Sequence, residues 1–411
     1  HRIASHRIAS HRIASHRIAS CSVLFAIMAS NQDADGLGKQ LWEAASRGDH
    51  DQVSVALDQD ANIEWRNTSA KADTPLHVAA RNGHESVVGL LLDRGASIDA
   101  TNQFQATSLH IAAQNGHESI VGLLLDRGAK IDAVTNDRWT PLHVAAWNGH
   151  ESAARLLLER GASIDATTRF QATSLHVAAS NGHESVARLL LNRGANVNAR
   201  PVYNSTPLHS AAYFGHESVA RLLLERGADT TLISVRQYPC YCSHTESISL
   251  TPSLTQTWWD ALGTAAWRAT SLHIAAQNGH ESVARLLLDR GASIDAVNND
   301  NWTSLHFAAS NGHESVARLL LERRASIDAV TTRNTASLHF AARNGHESVA
   351  RLLLQKGADT TIKSVRQYPC CHSHTESMSL TPSLRQTIGV AAQVAKTPSL
   401  KRMIGASLSF S

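Results

Sequence analysis

Cysteine is scarce in this 411-residue chain: there are five, an odd number outside any regular spacing. No disulfide framework of the kind that staples small secreted domains can be read from them, and a reducing compartment is favoured. Long apolar runs are missing too, none nearing the ~20 residues that a membrane-spanning helix needs. Charge of one sign is also lacking, with 38 Lys and Arg against 35 Asp and Glu and a formal net charge of +3. A nucleic-acid binder would carry a clustered basic face, so no nucleic-acid partner is expected.

Acidic residues are absent before Asp33, where His1 to Ser20 is four copies of HRIAS. A basic stretch ahead of the apolar SVLFAIMA (Ser22 to Ala29) has the composition of a targeting segment. The period argues otherwise: five residues advance a helix by about 140° beyond a full turn, so the isoleucines scatter around the axis. An odd period cannot hold one face of a strand either. Residues 1–37 are read as a disordered low-complexity leader, with Met28 as the start of the folded protein.

What is present in abundance is repetition. The block opening TPLHVAARNGHESVVGLLLDRGASIDA at Thr74 recurs at Thr107, Thr140, Thr173 and Thr206, 33 residues apart, and again at Thr270, Thr303 and Ala336. Each block reads as a helix pair. Thr74 is an N-cap residue and Pro75 suits the first helical position. Leu76, Ala79 and Ala80 follow at helical spacing until Gly83 ends the first helix. Val87, Leu90 and Leu91 repeat that spacing in a second helix, which Gly95 stops. The following SIDATNQFQA has no helical period and is expected to project as an extended finger. A unit this short cannot bury both of its helix faces, so neighbours must stack.

The pattern strongly resembles the ankyrin repeat, whose T-P-L-H-x-A-A and G-H signatures stand at Thr74, Pro75, Leu76, His77, Ala79, Ala80, Gly83 and His84 and at the equivalent later positions. Eight clear units follow a more polar N-terminal one, Leu41 to Trp65, that looks like a cap. The resemblance implies an all-α repeat solenoid of stacked helix pairs with protruding β-turn fingers. It also implies that the TPLH histidine hydrogen-bonds backbone between repeats; the G-H histidine reads most simply as a helix-start residue.

Departures from the family pattern carry their own expectations. Ser replaces Pro at Ser108, Ser174, Ser271, Ser304 and Ser337, loosening the helix start slightly. The usual finger-turn glycine is replaced by Gln105, Arg138, Gln171, Asn204, Asn301 and Asn334, of which only Asn tolerates positive φ well, so looser turns are expected. Arg324 replaces a helix-terminating glycine and marks the seventh unit as a soft point. Glu151, four residues before Arg155, begins a run of such pairs on an ion-paired outer face.

No catalytic residue is assigned, because no nucleophile and base recur at a fixed spacing and no P-loop is present. Cys240, Cys242 and His244, and their copy at Cys370, Cys371, His372 and His374, do not keep one ligand spacing and lack the distant second pair of a structural zinc site. No metal or cofactor is expected. Aromatics are the sharper signal. The resemblance implies that partner contacts come from the finger tips and from residues just before the first helix's glycine. Those positions hold Phe104, Trp139, Trp147, Phe170, Tyr203, Tyr213 and Phe214, read together as one concave protein-binding surface at exposed positions.

Thr206 to Thr270 spans 64 residues instead of 33. A shift of 130 residues superposes Thr140 to Leu254 on Thr270 to Leu384, as though three units and their tail had been duplicated together. The chain is thus expected to comprise the leader, a repeat stack over 38–233, an insertion or linker over 234–269, a second repeat block over 270–362 and a disordered tail over 363–411. A stack continuing past a looped-out insertion is favoured over two separate solenoids. The function expected is that of a non-enzymatic protein-interaction scaffold or adaptor, cytoplasmic or nuclear, with a protein partner, no membrane partner and a monomer favoured. The alternatives are the recognition arm of a larger signalling or ubiquitin-ligase system, or a secreted effector.

Overall fold

The computed structural model describes residues 35–69, 71–200, 204–235 and 268–362. Contacts divide the chain into two compact bodies, one ending at Ser163 and one starting at Ile164.

The first body opens with α1 (residues 35–47) and α2 (His50–Asp58), followed by three helix pairs. These are α3 (Pro75–Asn82) with α4 (Glu85–Asp93), α5 (Ser108–Asn115) with α6 (Glu118–Asp126), and α7 (Pro141–Asn148) with α8 (Glu151–Glu159). First helices pack on first helices and second on second, α3 on α5 on α7 and α2 on α4 on α6 on α8. Leu76, Leu91, Leu109, Leu124, Leu142 and Leu157 are fully buried, with Ala79, Ala80, Ala112 and Ala113 permitting the close approach of the first helices.

Each helix start is built by its own threonine and histidine. Thr74 Oγ1 lies 2.7 Å from His77 Nδ1, and the Thr74 amide donates to the same nitrogen at 3.2 Å. With Nδ1 thus accepting, Nε2 carries the proton and donates at 3.0 Å to the carbonyl of Ala106, the residue that joins this unit to Thr107 of the next. His110 repeats the arrangement toward Trp139. This is the inter-repeat bond that the resemblance implied.

The second body holds α9 (Ser174–Asn181), α10 (Glu184–Asn192), α11 (Pro207–Phe214), α12 (Glu217–Glu225), α13 (Ser271–Asn278), α14 (Glu281–Asp289), α15 (Ser304–Asn311), α16 (Glu314–Glu322), α17 (Ser337–Arg343) and α18 (Glu347–Gln355). Between α12 and α13, β1 (Ser234–Val235) pairs antiparallel with β2 (Arg268–Ala269). There α13 packs on α11 and α14 on α12, and His280 Nε2 donates to the Tyr213 carbonyl at 2.9 Å. The pair after the insertion therefore sits on the pair before it.

The finger turns differ from expectation. Gln105, Arg138, Gln171, Asn204, Asn301 and Asn334 all adopt positive φ, between 52° and 60°. The turn is held from inside: Asn102 Oδ1 accepts from the Phe104 and Ala106 amides, and Thr135 Oγ1 from the Trp139 amide. Asn298 and Thr331 do the same in the second body. These side-chain bonds keep the left-handed residue that a glycine would otherwise supply. Arg324 also keeps a positive φ, 66°, where its counterparts are glycine, a local cost of about 1 kcal/mol.

Candidate functional site

Successive fingers form a ladder beside the first helices. In the first body the Gln103 amide donates to Lys71 O and the Asn136 amide to Phe104 O, both at 3.1 Å. In the second, the Thr332 amide donates to Asp300 O at 3.0 Å. Six of the seven aromatic residues singled out by sequence lie among the described residues.

Trp139 and Trp147 meet edge-on, with ring centroids 5.5 Å apart at 73°. Trp139 comes from the last finger position before Thr140 and Trp147 from the last turn of α7. The Trp139 carbonyl is fixed by His110, which fixes its backbone. Phe104 lies one finger earlier, with Lys71 Nζ 6.0 Å from its ring centroid. All three rings are half-buried, not exposed, because each is braced by a neighbouring ring or finger.

In the second body Tyr213 and Phe214 also meet edge-on, at 4.8 Å and 79°, and both are half-buried. Phe214 stands where other units have Asn, whose amide donates to a carbonyl one turn back, as Asn181 does to Val177 and Asn278 to Ile274. Its ring instead stacks toward His216 at 6.2 Å. Phe170 is 38% exposed. Tyr203 lies outside the described residues, as do all the cysteines and the His244 and His374 segments.

Sequence reading missed a further cluster. Trp302 contacts Phe307 at 5.0 Å and Phe340 at 4.3 Å, and His306 lies 5.8 Å from Phe340. The signal was available, because Trp302 precedes Thr303 just as Trp139 precedes Thr140. Phe307 and Phe340 stand where Val78 and Ile111 stand in earlier units.

The G-H histidines do more than start helices. His84, His117 and His150 occupy N-cap positions but make no side-chain cap. Their Nε2 atoms reach back to the preceding unit, to Ser46 O, Arg81 O and Gln114 O, at 3.1, 2.9 and 2.9 Å. Within the first body each of these histidines ties its unit backward, while His77 and His110 reach the residue just before the next unit's threonine.

The forward-reaching histidines are buried, and burial holds them neutral. His110, His176, His209, His273 and His306 are each lowered to about 4, desolvation outweighing the hydrogen bonds to backbone carbonyls. Held neutral, these rings do not gain a charge near neutrality. Among the described residues, no three His, Cys, Asp or Glu side chains come together to hold a metal ion. No helix among them is long and apolar enough to cross a membrane.

Residues 95–168, 164–234 and 272–364 match a family described as ankyrin repeats (3 copies), and residues 72–103 match the single ankyrin repeat. The chain belongs to the ankyrin-repeat family. It is 33% identical over 75 residues to E3 ubiquitin-protein ligase XBAT33 of Arabidopsis thaliana, covering 18% of this chain and 15% of that protein. Inversin of Gallus gallus is 39% identical over 70 residues, 17% of this chain and 6% of inversin. GA-binding protein subunit beta-1 of Homo sapiens is 40% identical over 73 residues, 17% of each chain. The match spans less than a fifth of the length of each of these relatives. Ankyrin repeats generally mediate protein–protein interaction and typically form non-catalytic scaffolds.

Proposed function

We propose that the chain is a non-enzymatic scaffold or adaptor that binds a protein partner along the surface formed by its fingers and first helices. The observation that supports this most is the Trp139–Trp147 pair. Two large rings are held edge-on by two separate elements, each with part of its surface open to solvent. Such preorganised aromatics lose little conformational freedom when a partner covers them, which is what concentrates binding energy in a few residues. Phe104 extends the patch along the first body. In the second body Phe170, Tyr213 and Phe214 are further anchors, and Tyr203 is retained with them from sequence. A cytoplasmic or nuclear location belongs to this reading.

Affinity capture with quantitative mass spectrometry tests it, comparing the natural chain with Trp139→Ala combined with Trp147→Ala. A partner captured by the first and depleted at least tenfold by the second is expected; an unchanged set of captured proteins overturns the reading. The match to a ubiquitin ligase favours one second reading, in which this chain is the recognition part of such a system. Recovery of ubiquitin-transfer enzymes among the captured proteins would support it.

A further inference from the structure

Charge in the first body is sorted between its second helices and its fingers. On the second helices and their ends, Arg94 pairs with Asp58 at 2.8 Å, Arg127 with Asp93 at 2.7 Å, Arg155 with Glu151 and Arg160 with Asp126. The fingers and first helices differ. Over residues 66–82, 101–115 and 134–148 the cations are Arg66, Lys71, Arg81 and Arg138, and the carboxylates are Asp73 and Asp137 alone. Asp73 is fully buried and already engaged: Arg81 Nη1 lies 2.5 Å from its Oδ2, and Asn102 Nδ2 donates to its Oδ1 at 2.9 Å. Arg66, Lys71 and Arg138 form no ion pair among the described residues, and Arg66 and Arg138 are exposed.

These cations stand among the aromatic residues. Lys71 Nζ lies 6.0 Å from the Phe104 ring centroid, and Lys71 O accepts from the Gln103 amide of the next finger. Asn102, which holds Asp73 and through it Arg81, also accepts from the Phe104 amide. Phe104 O in turn accepts from the amide of Asn136, two residues before Arg138 and three before Trp139, whose ring meets Trp147. Three successive fingers thus carry, in order, an unpaired cation, a ring, and a second unpaired cation beside two rings.

We infer that the partner bound here is an acidic segment of a protein, in which Asp or Glu side chains flank a large apolar one. The inference rests on the reading of this surface as a protein-binding one. Carboxylates would pair with Lys71 and Arg138, and the apolar side chain would lie against Phe104 and the Trp139–Trp147 pair. Cations with no carboxylate of their own are what an acidic partner complements, and such matching sets specificity and association rate. Aromatic anchors beside them supply the apolar contact. A single-stranded nucleic acid also combines negative charge with planar groups, but it needs a continuous basic track and open ring faces on which its bases stack. Here the cations without an ion pair are three, and the two tryptophans meet edge to face.

Selection of a random dodecapeptide library on the full chain tests this, with affinities of the selected peptides read by fluorescence anisotropy. Sequences placing Asp or Glu beside Trp, Phe or Leu are expected. Their affinity should fall at least tenfold in Trp139→Ala combined with Trp147→Ala, and at least tenfold in Lys71→Gln combined with Arg138→Gln. Gln105 and Gln171 already hold the turn position of Arg138 at positive φ, so the charge can be removed there without changing the turn, and unchanged thermal unfolding checks this. Peptide composition is read on the natural chain and does not depend on the variants. Peptides that need the tryptophans but carry no acidic excess, or that bind the Lys71 and Arg138 variant as well as the natural chain, overturn the acidic partner and leave the surface standing. If no selected peptide needs the tryptophans, the surface reading falls and this inference with it. Oligo-dT that binds as tightly as the peptides and is lost from the same variants would make nucleic acid the ligand, and self-association that they abolish would make a second copy the occupant; either overturns the inference.

Discussion

The ring of His117 lies over Gly83 of the preceding helix pair, so close that a β-carbon on Gly83 would stand 2.9 Å from its Cε1. The same ring donates from Nε2 to the Arg81 carbonyl at 2.9 Å, and Gly83 itself holds φ at +80° to end α3. One glycine therefore serves a helix end and a repeat interface at once. Gly83→Ala is expected to cost about 1 kcal/mol for the left-handed backbone and about 1 kcal/mol more for the displaced hydrogen bond. Gly345→Ala, with φ +75° and no histidine above it, should cost only the first of these. Urea unfolding midpoints of the two variants measure the difference, and equal losses would refute the histidine contact.

The five serines that replace proline at the first helical position are a second place to intervene. The hydroxyls of Ser108, Ser174, Ser271, Ser304 and Ser337 are buried and find no hydrogen-bond partner among the described residues. Proline there would remove a desolvated hydroxyl and restrict the unfolded chain. It would lose no helical hydrogen bond, because the first amide of a helix has no acceptor within it. The preceding Thr107 is already extended, at φ −90° and ψ 168°, as a residue before proline must be. Ser108→Pro is expected to stabilise by about 1 kcal/mol, seen as a rise in the urea midpoint, with Ser108→Ala giving the part due to the hydroxyl alone.

Gly89 and Gly122 interrupt a pattern kept elsewhere. In α8, Arg155 pairs with Glu151 one turn earlier, and Arg285 with Glu281 in α14; in α4 and α6 glycine stands in the arginine's place. A β-carbon on Gly89 meets nothing within 4 Å, and on Gly122 it meets only Leu156 Cδ2 at 3.5 Å, an ordinary contact. Gly89→Arg and Gly122→Arg should each stabilise the first body by about 1 kcal/mol, mostly from helix propensity, with a few tenths from pairing to Glu85 or Glu118. Raising salt to 1 M should remove the smaller part and leave the larger in thermal unfolding curves.

The helix pairs, their caps and their stacking were legible in sequence because Thr, Pro, Gly and the leucines act locally, at fixed spacing. What sequence concealed was long-range or compensatory. The G-H histidines read as helix starts because their bond runs to another unit, 36 residues back in the case of His117 and Arg81. Finger turns read as loose because the residue at positive φ was judged alone, without the Asn102 or Thr135 side chain that holds it. The aromatic residues could be picked out by their place in the repeat, but not that Trp139 and Trp147 brace each other. That follows only from the distance between a finger and a helix end.

Acid should dismantle the stack in a defined window. His110, His176, His209, His273 and His306 have an ordinary value of 6.5 and are lowered by burial to about 4 in the folded chain. His77 is lowered in the same direction, chiefly by burial. The folded state refuses protons that the unfolded state accepts, so stability is fully present above about 6.5 and falls as pH drops toward about 4. Below that, the folded histidines titrate as well and the loss levels off. At pH 5 each such histidine removes on the order of 2 kcal/mol. Protonation would also place a hydrogen on Nδ1, where the Thr107 amide and hydroxyl now meet His110, and so strip the helix cap. The urea midpoint measured from pH 7.5 to pH 4 should therefore fall steeply below 6.5, and His176→Gln should flatten the slope while lowering the neutral-pH midpoint. A flat midpoint down to pH 5 would show that the buried histidines are not held neutral.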